Sequence, residues 1–177
     1  MTRNAPSTAR VAFLAVMALV VSGSPRPSSA QTLPNDGTVI VRTGSASTTY
    51  EFLPADETEL LTLLNGVRTH YHLAALAMNL SLRQVARDHS KEMLLQGYVG
   101  HGSPSNESFL ARMARVVAPG TRVGENVVAV QTTEAAHAAF MASAYHLQNM
   151  LTPTFRNVGI GIATGGGIMM VTEDFAE

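Results

Sequence analysis

The sequence contains no cysteine, and this absence limits how the chain can be held together. Without thiols the chain forms no disulfide, and we expect no lipid attached through an N-terminal cysteine. The stability of the folded state must therefore come from packing and hydrogen bonds.

Positive charge is also scarce. The 177 residues include 12 basic residues, among which Lys91 is the single lysine, and they form no basic run. Three arginines fall within the first 30 residues, so a chain that begins after them has nine basic against thirteen acidic residues and a formal charge of −4. This mildly acidic balance argues against nucleic acid or an anionic lipid surface as a main partner.

Long apolar runs are almost missing, and the clearest one lies at residues 11–21. Arg3 and Arg10 precede it, and a Gly/Pro/Ser stretch follows it and ends at Ser28-Ser29-Ala30. This order is typical of a secretory signal peptide, with a cut predicted after Ala30. A membrane anchor is the alternative, but the run is far shorter than the roughly 20 residues a spanning helix needs. We therefore expect a secreted or periplasmic protein with no membrane span after cleavage.

The residues after the predicted cut are enough for one compact domain. Residues 31–55 are predicted as an N-terminal extension, with β-prone patches at 39–41 and 48–52. These patches could form a hairpin at the domain edge or a partly ordered leader, and the sequence leaves both possibilities open. The main domain is predicted over residues 56–177.

Helical periodicity begins near Asp56. An apolar stripe at Leu60, Leu64, Val67 and Tyr71 predicts the first helix. A second helix is predicted from Ser81, where Ser-Leu-Arg-Gln is a possible capping box, to a stop at Gly97.

Two further helices and three strands follow. Asn106 is predicted to cap a helix over 107–116 with Phe109, Leu110 and Met113 inward, and Thr132 or Thr133 a helix over 134–144. Strands are predicted over 127–130, 158–163 and 168–172, the last two joined by a glycine-rich turn. Together these signals predict an α+β fold, in which helices enclose a small, mostly antiparallel sheet.

Three short patches carry the functional signal. They are Gly100-His101 with Ser103-Pro104, then Gly124-Glu125-Asn126, then Tyr145-His146 with Asn149-Met150-Leu151 running into Val158-Gly159-Ile160-Gly161. In this order and at these spacings, the chain resembles the bacterial branch of the CAP superfamily, which includes cysteine-rich secretory proteins, antigen 5 and pathogenesis-related proteins. The resemblance covers about residues 58–175 and implies a three-layer α/β/α sandwich. It includes Asn65 and Arg68 in the first helix, and the spacing of Ala86 and His89 in the second.

The resemblance implies that His101, Glu125 and His146 converge on one cleft, each from a connection between elements. Two neutral imidazoles and a carboxylate suit Zn²⁺ or a similar divalent ion, and a metal-bound water could be activated for hydrolysis. The same three residues could instead form a hydrogen-bonded support in which both histidines share Glu125. His89 is interpreted as a core residue.

Two departures from the family weaken the enzyme interpretation. Ser143 stands where eukaryotic relatives carry a second Glu, and Leu147 where bacterial relatives commonly carry Arg. Ser143 completes the predicted cleft, but no Gly-x-Ser-x-Gly turn surrounds it, which argues against a nucleophile.

Three classes of function remain open. We favour a secreted binding or interaction module that takes a divalent metal, a small apolar ligand such as the sterols or fatty acids the family implies, or a component of the cell envelope or a host. A metal-dependent hydrolase using His101, Glu125 and His146 is the alternative. An interaction domain with an inherited, inactive cleft is the third.

The predicted signal peptide is directly testable. Because small residues end the stretch after the apolar run, protein recovered from the medium or periplasm should begin at or near Gln31. N-terminal sequencing checks this, and an intact N-terminus in the membrane fraction would contradict it.

Overall fold

The structure is a computed structural model that describes residues 41–42 and 49–177. The predicted signal peptide and most of the predicted extension lie outside the described residues. The elements of the described part are β1 (Val41–Arg42), β2 (Glu51–Phe52), α1 (Pro54–His70), β3 (Ala77–Met78), α2 (Leu80–Gln96), β4 (Tyr98–Val99), α3 (Phe109–Met113), β5 (Val123–Val130), α4 (Thr133–Ala142), α5 (Ala144–Met150), β6 (Asn157–Gly165) and β7 (Ile168–Ala176). None of the helices in this part is long and apolar enough to cross a membrane.

The main sheet has the strand order β2-β6-β7-β5, and β3 pairs with the outer edge of β6. All of these pairs are antiparallel except β3 with β6, which is parallel. β1 pairs with β4 in a separate two-stranded ladder. The described strand residues of the two N-terminal patches therefore pair with different partners, Val41 with β4 and 51–52 with β6.

Helices cover both faces of the sheet. Alternate residues of β6 and β7 point to opposite faces, as the pleat requires. Ile160, Ile162 and Val171 face a core shared with α1, α4 and α5, whereas Ala163 and Met170 face α2. This arrangement confirms the predicted three-layer α/β/α sandwich with a mostly antiparallel sheet.

Two glycines let α2 lie directly on β6. A Cβ atom at Gly159 would lie 2.1 Å from the Leu82 carbonyl carbon, and one at Gly161 would lie 2.2 Å from the Arg87 nitrogen. Real Cβ atoms do not approach backbone atoms this closely, so a side chain at either position would push α2 away from the strand. The glycines thereby fix the height of α2 above the sheet.

A buried carboxylate ties α1 to α2. Glu57 of α1 has no solvent exposure and accepts hydrogen bonds from Arg83 Nε at 2.7 Å and Arg87 Nε at 2.7 Å. The backbone N–H of Ile162 also donates to Glu57 Oε1, at 3.3 Å. Glu57 therefore satisfies part of the open edge of β6 while it joins two helix layers.

Arg68 of α1 is a buried cation that binds carbonyl groups. Its guanidinium donates to the carbonyl oxygens of Ala74, Met150, Thr152 and Phe155, at 2.8, 2.8, 3.0 and 3.4 Å. No carboxylate among the described residues is paired with it. Because two of these carbonyls follow the last turn of α5, Arg68 holds the end of that helix and the segment after it.

Two predicted N-caps are wrong. Asn79, not Ser81, caps α2, because its side-chain oxygen accepts from the backbone N–H groups of Ser81 and Leu82. Ser108, not Asn106, caps α3, which is shorter than predicted. Asn106 instead takes the left-handed conformation, with φ of 68°.

The helix predicted over 134–144 is α4, which ends two residues earlier, and α5 follows it as a helix that the sequence did not predict. Thr132, one of the two residues predicted as alternatives for this cap, is the N-cap of α4. Ser143 has an extended backbone, which ends α4, and its hydroxyl accepts from the backbone N–H of His146 to cap α5. His146 thus lies inside a helix and not on a connection, contrary to the prediction.

The close packing of α2 on β6 can be tested with two glycine substitutions. Gly161→Ala should destabilise the protein by about 1 to 3 kcal/mol, since the added methyl overlaps the α2 backbone. Gly66→Ala is the matched control: it lies in α1 with open space around it and should stabilise by about 0.5 to 1 kcal/mol. Urea unfolding measures both, and equal effects would contradict the packing argument.

Candidate functional site

The site is built around the edge strand β5. Glu125 and Asn126 are neighbours in this strand, so their side chains point to opposite faces of the sheet. Glu125 lies on the α2 face and Asn126 on the α5 face. The prediction that Glu125 lies in a loop before the strand is wrong: the strand begins two residues earlier, at Val123.

Both carboxylate oxygens of Glu125 are occupied. The residue is 4% exposed. His101 Nδ1 donates to Oε1 at 2.8 Å, and Arg112 Nη2 donates to Oε2 at 2.7 Å. The same Arg112 nitrogen donates to the His101 carbonyl oxygen at 2.8 Å, which closes a ring of three residues.

The charge of Glu125 is compensated within this ring. Burial by itself would raise the pKa of Glu125, but the hydrogen bond from His101 and the nearby His89 and Arg112 hold it below its ordinary value. Glu125 is therefore the anion of the site.

Asp174 lies opposite Glu125 on β7, and its pKa is shifted in the opposite direction. It is fully buried, and neither of its oxygens has a hydrogen-bond partner among the described residues. Burial and the charge of Glu125 raise the pKa of Asp174 well above its ordinary value. Of these two adjacent carboxyl groups, Asp174 therefore keeps its proton and Glu125 carries the charge.

The second histidine near Glu125 is His89 and not His146. His89 is buried on α2, as its interpretation as a core residue predicted; its Nε2 donates to the Gly100 carbonyl at 2.8 Å and lies 3.9 Å from Glu125 Oε2. The prediction that His101 and His146 share Glu125 therefore holds for His101 and is wrong for His146. Among the described residues, Glu125 has no hydrogen bond to the His146 side chain.

Glu92 of α2 anchors the loop that carries His101. It accepts hydrogen bonds from Tyr98 at 2.9 Å and from the Ser103 hydroxyl. Burial opposes ionisation, but the nearby His89 imidazole and the hydrogen bonds from Ser103 and Tyr98 lower the pKa of Glu92 to about 2. The loop after β4 is thus fixed at two points. Glu125 binds His101, and Glu92 binds Ser103.

Two asparagines position α5 on the other face of the sheet. Asn126 Nδ2 donates to the His146 carbonyl at 3.2 Å. Asn149 Nδ2 donates to Asn126 Oδ1 at 2.9 Å and to the Glu125 carbonyl at 3.0 Å. A Cβ atom at Gly124 would lie 2.8 Å from the Asn149 amide oxygen, so this position admits only glycine without a shift of Asn149. Each residue of the Gly124-Glu125-Asn126 patch therefore has a structural role.

His146 presents an imidazole with free hydrogen-bonding capacity. Its ring packs edge-to-face on Phe140 at 5.3 Å, and its buried Nδ1 has no partner among the described residues. Burial, and then the nearby His101, lower the pKa of His146 below its ordinary value, which keeps the ring neutral. The His101 side chain is 41% exposed and Tyr145 is 83% exposed, so the rim of the site is open to solvent.

The described residues do not arrange three metal ligands together. They contain no group of three or more His, Asp or Glu side chains placed to hold a metal ion. Glu125 is engaged by Arg112 and His101, which leaves the imidazoles of His101 and His146 as the available donors. The set His101, His146 and Glu125 therefore fits Zn²⁺ only in part, and zinc binding stays a prediction.

Sequence reasoning missed Arg112, Glu92 and Asp174. Leu110 was predicted to face inward, yet it is 62% exposed, whereas Met113 is buried as predicted and Arg112 is buried beside it. A signal existed for Asp174, because Glu173-Asp174 is an acidic pair inside an otherwise apolar strand. No comparable signal marks the pairing of Arg112 with Glu125.

Comparison with known proteins decides the family. The model of the cysteine-rich secretory protein (CAP) family matches residues 61–175. The chain belongs to this family. As a CAP protein it is similar to the uncharacterised protein YkwD of Bacillus subtilis, with 29% identity over 128 residues that make up 72% of this chain and 50% of YkwD. The chain thus spans about half the length of this curated relative.

Two solved structures carry the same fold. One is an extracellular protein containing an SCP domain from Bacillus anthracis, 27% identical, with a TM-score of 0.63, covering 70% of this chain and 40% of that chain. The other is an outer surface protein from Borrelia burgdorferi, 14% identical, with a TM-score of 0.66, covering 73% of this chain and 98% of that chain.

Glu173 supports the site from the α5 face. Its Oε2 accepts from Asn126 Nδ2 at 3.0 Å, while Oε1 is buried without a partner among the described residues. Burial raises the pKa of Glu173 to about 7, and the Asn126 hydrogen bond offsets this only in part. The folded state therefore holds this proton more tightly than the unfolded chain does.

This raised pKa predicts a pH-dependent stability. The stabilising effect of the bound proton is complete below the ordinary pKa of 4.5 and is lost as pH rises through about 7. Glu173→Gln keeps the shape and cannot ionise, so from pH 5 to pH 8 the wild type should lose roughly 2 to 3 kcal/mol relative to the variant. Urea unfolding at both pH values measures this, with Glu51→Gln as an exposed control. A difference between wild type and Glu173→Gln that does not change with pH would contradict it.

Proposed function

We propose that this CAP protein is an extracellular binding module whose ligand surface is the rim formed by His101, Tyr145 and His146. In this proposal Glu125 supports the surface and does not act as a catalytic base. The observation that carries the proposal is the double engagement of Glu125 by His101 and Arg112 at 4% exposure.

The extracellular location is supported by the predicted signal peptide and by the relatives. One similar structure is named as an extracellular protein and another as an outer surface protein. An exported module without an exposed base fits a role in contact with the cell envelope or a host component.

The hydrolase alternative would need a rearrangement. To act as a general base toward a metal-bound water, Glu125 would have to give up its hydrogen bond to His101 or to Arg112. Losing Arg112 would leave a buried cation unpaired, which is strongly unfavourable. The present geometry therefore favours binding over hydrolysis.

Reversible metal binding is a second candidate, favoured by the state of His146. A neutral imidazole with an unpaired nitrogen is the form that ligates Zn²⁺. Two imidazoles would leave coordination positions for water or for an external ligand. An apolar ligand also remains a proposal, and nothing at the described rim selects it.

Zinc titration of the full chain separates these proposals. If the two imidazoles bind zinc and Glu125 is only a support, His101→Ala and His146→Ala should each abolish binding, while Glu125→Gln, if folded, and the exposed control His70→Ala should keep it. Binding should weaken as pH falls through the imidazole range near about 6.5, because protons then compete for the ring nitrogens. Calorimetry measures each affinity.

Hydrolysis is assayed on the same samples with generic ester and peptide substrates. No zinc-dependent turnover above that of His101→Ala is expected. Turnover by the zinc-loaded chain that disappears in Glu125→Gln would overturn the binding-module proposal. Failure to bind zinc in any variant would remove the metal candidate and leave a metal-free binding rim.

A further inference from the structure

Arg112 and Asp174 bury polar atoms that no hydrogen bond uses. Arg112 is 2% exposed, and its Nη2 atom donates to Glu125 and to the His101 carbonyl. Its Nε and Nη1 atoms, which carry most of the N–H donors of a guanidinium, are buried without a partner among the described residues. Both oxygens of Asp174 are buried without a partner as well. Buried polar groups in folded proteins normally have partners, so these four atoms require an explanation.

The two side chains lie close together on the α2 face of the sheet. Glu125 and Asp174 are directly opposite each other on β5 and β7, so their side chains leave the same face. The Arg112 guanidinium contacts Glu125, with Nη2 2.7 Å from Oε2. Burial and the charge of Glu125 raise the pKa of Asp174, and the charge of Arg112 is near enough to act against both effects. Arg112 and Asp174 are therefore neighbours beside Glu125.

No direct contact joins these neighbours. Among the described residues, Arg112 pairs with Glu125 and forms neither a hydrogen bond nor an ion pair with Asp174. When polar groups lie near each other but beyond hydrogen-bonding distance, a bridging molecule is the usual explanation. The unused donors of Arg112 and the unused oxygens of Asp174 are complementary, so one small molecule can serve both side chains.

The charges of this region favour a neutral ligand. Arg112 and Glu125 carry opposite charges, and Asp174 keeps its proton, so the three side chains together have no net charge. A cation would lie next to a guanidinium, and an anion would lie next to a buried carboxylate. Either ion would add an uncompensated charge in the interior, which is strongly unfavourable.

The surroundings also require a very small ligand. The unpartnered atoms have almost no exposed surface, and α2 packs closely over this part of the sheet. Gly159 of β6 lies directly opposite Asp174, and a Cβ atom there would already overlap the Leu82 backbone. Water fits both conditions: it accepts from N–H groups and donates to oxygens, and a buried water typically forms about three hydrogen bonds.

We propose that a buried water molecule binds between Arg112 and Asp174, accepting from Nε or Nη1 of the guanidinium and bonding to the Asp174 carboxyl group. This inner water site lets one guanidinium serve two carboxyl groups, Glu125 directly and Asp174 through the water. It therefore ties α3 to β7 as well as to β5. The inner water site does not depend on what binds at the His101 rim, so it can fail while the proposed function holds, and the reverse.

A high-resolution crystal structure of the full chain tests the inner water site directly. We expect one ordered solvent peak within hydrogen-bonding distance of Arg112 Nε or Nη1 and of an Asp174 oxygen. A direct hydrogen bond between the two side chains would overturn the proposal, and so would the absence of density between them.

Relaxation dispersion of water ²H and ¹⁷O nuclei tests the same site in solution, because it counts water molecules that stay bound for longer than the protein takes to rotate. Asp174→Leu keeps a similar volume and removes both oxygens, so it should lose one long-lived water relative to the wild type. Asp174→Asn keeps a polar oxygen and should retain that water. Asp88→Leu makes the same kind of change at an exposed position of α2 and should also retain it.

Two solution results would contradict the proposal. One is an equal count of long-lived waters in the wild type and in folded Asp174→Leu. The other is the loss of one water in Asp88→Leu as well, since that substitution lies outside the site. Should Asp174→Leu not fold, the crystal structure of the wild type decides alone.

Discussion

The buried negative charge of Glu125 is the constraint on which the site depends. An ionised carboxylate in the interior is tolerated only when it is paired and hydrogen-bonded. Arg112 from α3 and His101 from the loop after β4 together meet that requirement. Each partner comes from a different element, so compensating one charge also fixes where α3 and the His101 loop sit on the sheet.

Strand pleating divides this site between two faces of the sheet. Glu125 organises His101 on one side, and the adjacent Asn126 organises α5 and His146 on the other. Because β5 is the edge strand, the two imidazoles can approach each other around it without crossing the sheet. A central strand could not offer this, since a neighbouring strand would separate the two sides.

Much of this arrangement could be predicted from sequence, and the failures have two physical origins. Apolar periodicity located the four main helical regions and the closing hairpin, and the motif patches located His101, Glu125 and His146. The errors occurred where two nearby polar groups compete, as between Asn79 and Ser81 for the α2 cap. Ion pairs between residues distant in sequence also could not be predicted. The pairs Glu57–Arg83 and Glu125–Arg112 produce no repeating pattern in the sequence that would indicate them.

Arg68 shows how a family named for its cysteines can include a chain without any. Four carbonyl oxygens, one from Ala74 and three from residues 150–155, converge on its guanidinium, which cross-links α1 to these two segments through hydrogen bonds to groups that every sequence possesses. Such a cross-link needs no oxidant to form and no isomerase to correct wrong pairings, whereas a disulfide framework needs both. Folding is consequently free of thiol chemistry, and the domain reaches the same structure under reducing as under oxidising conditions.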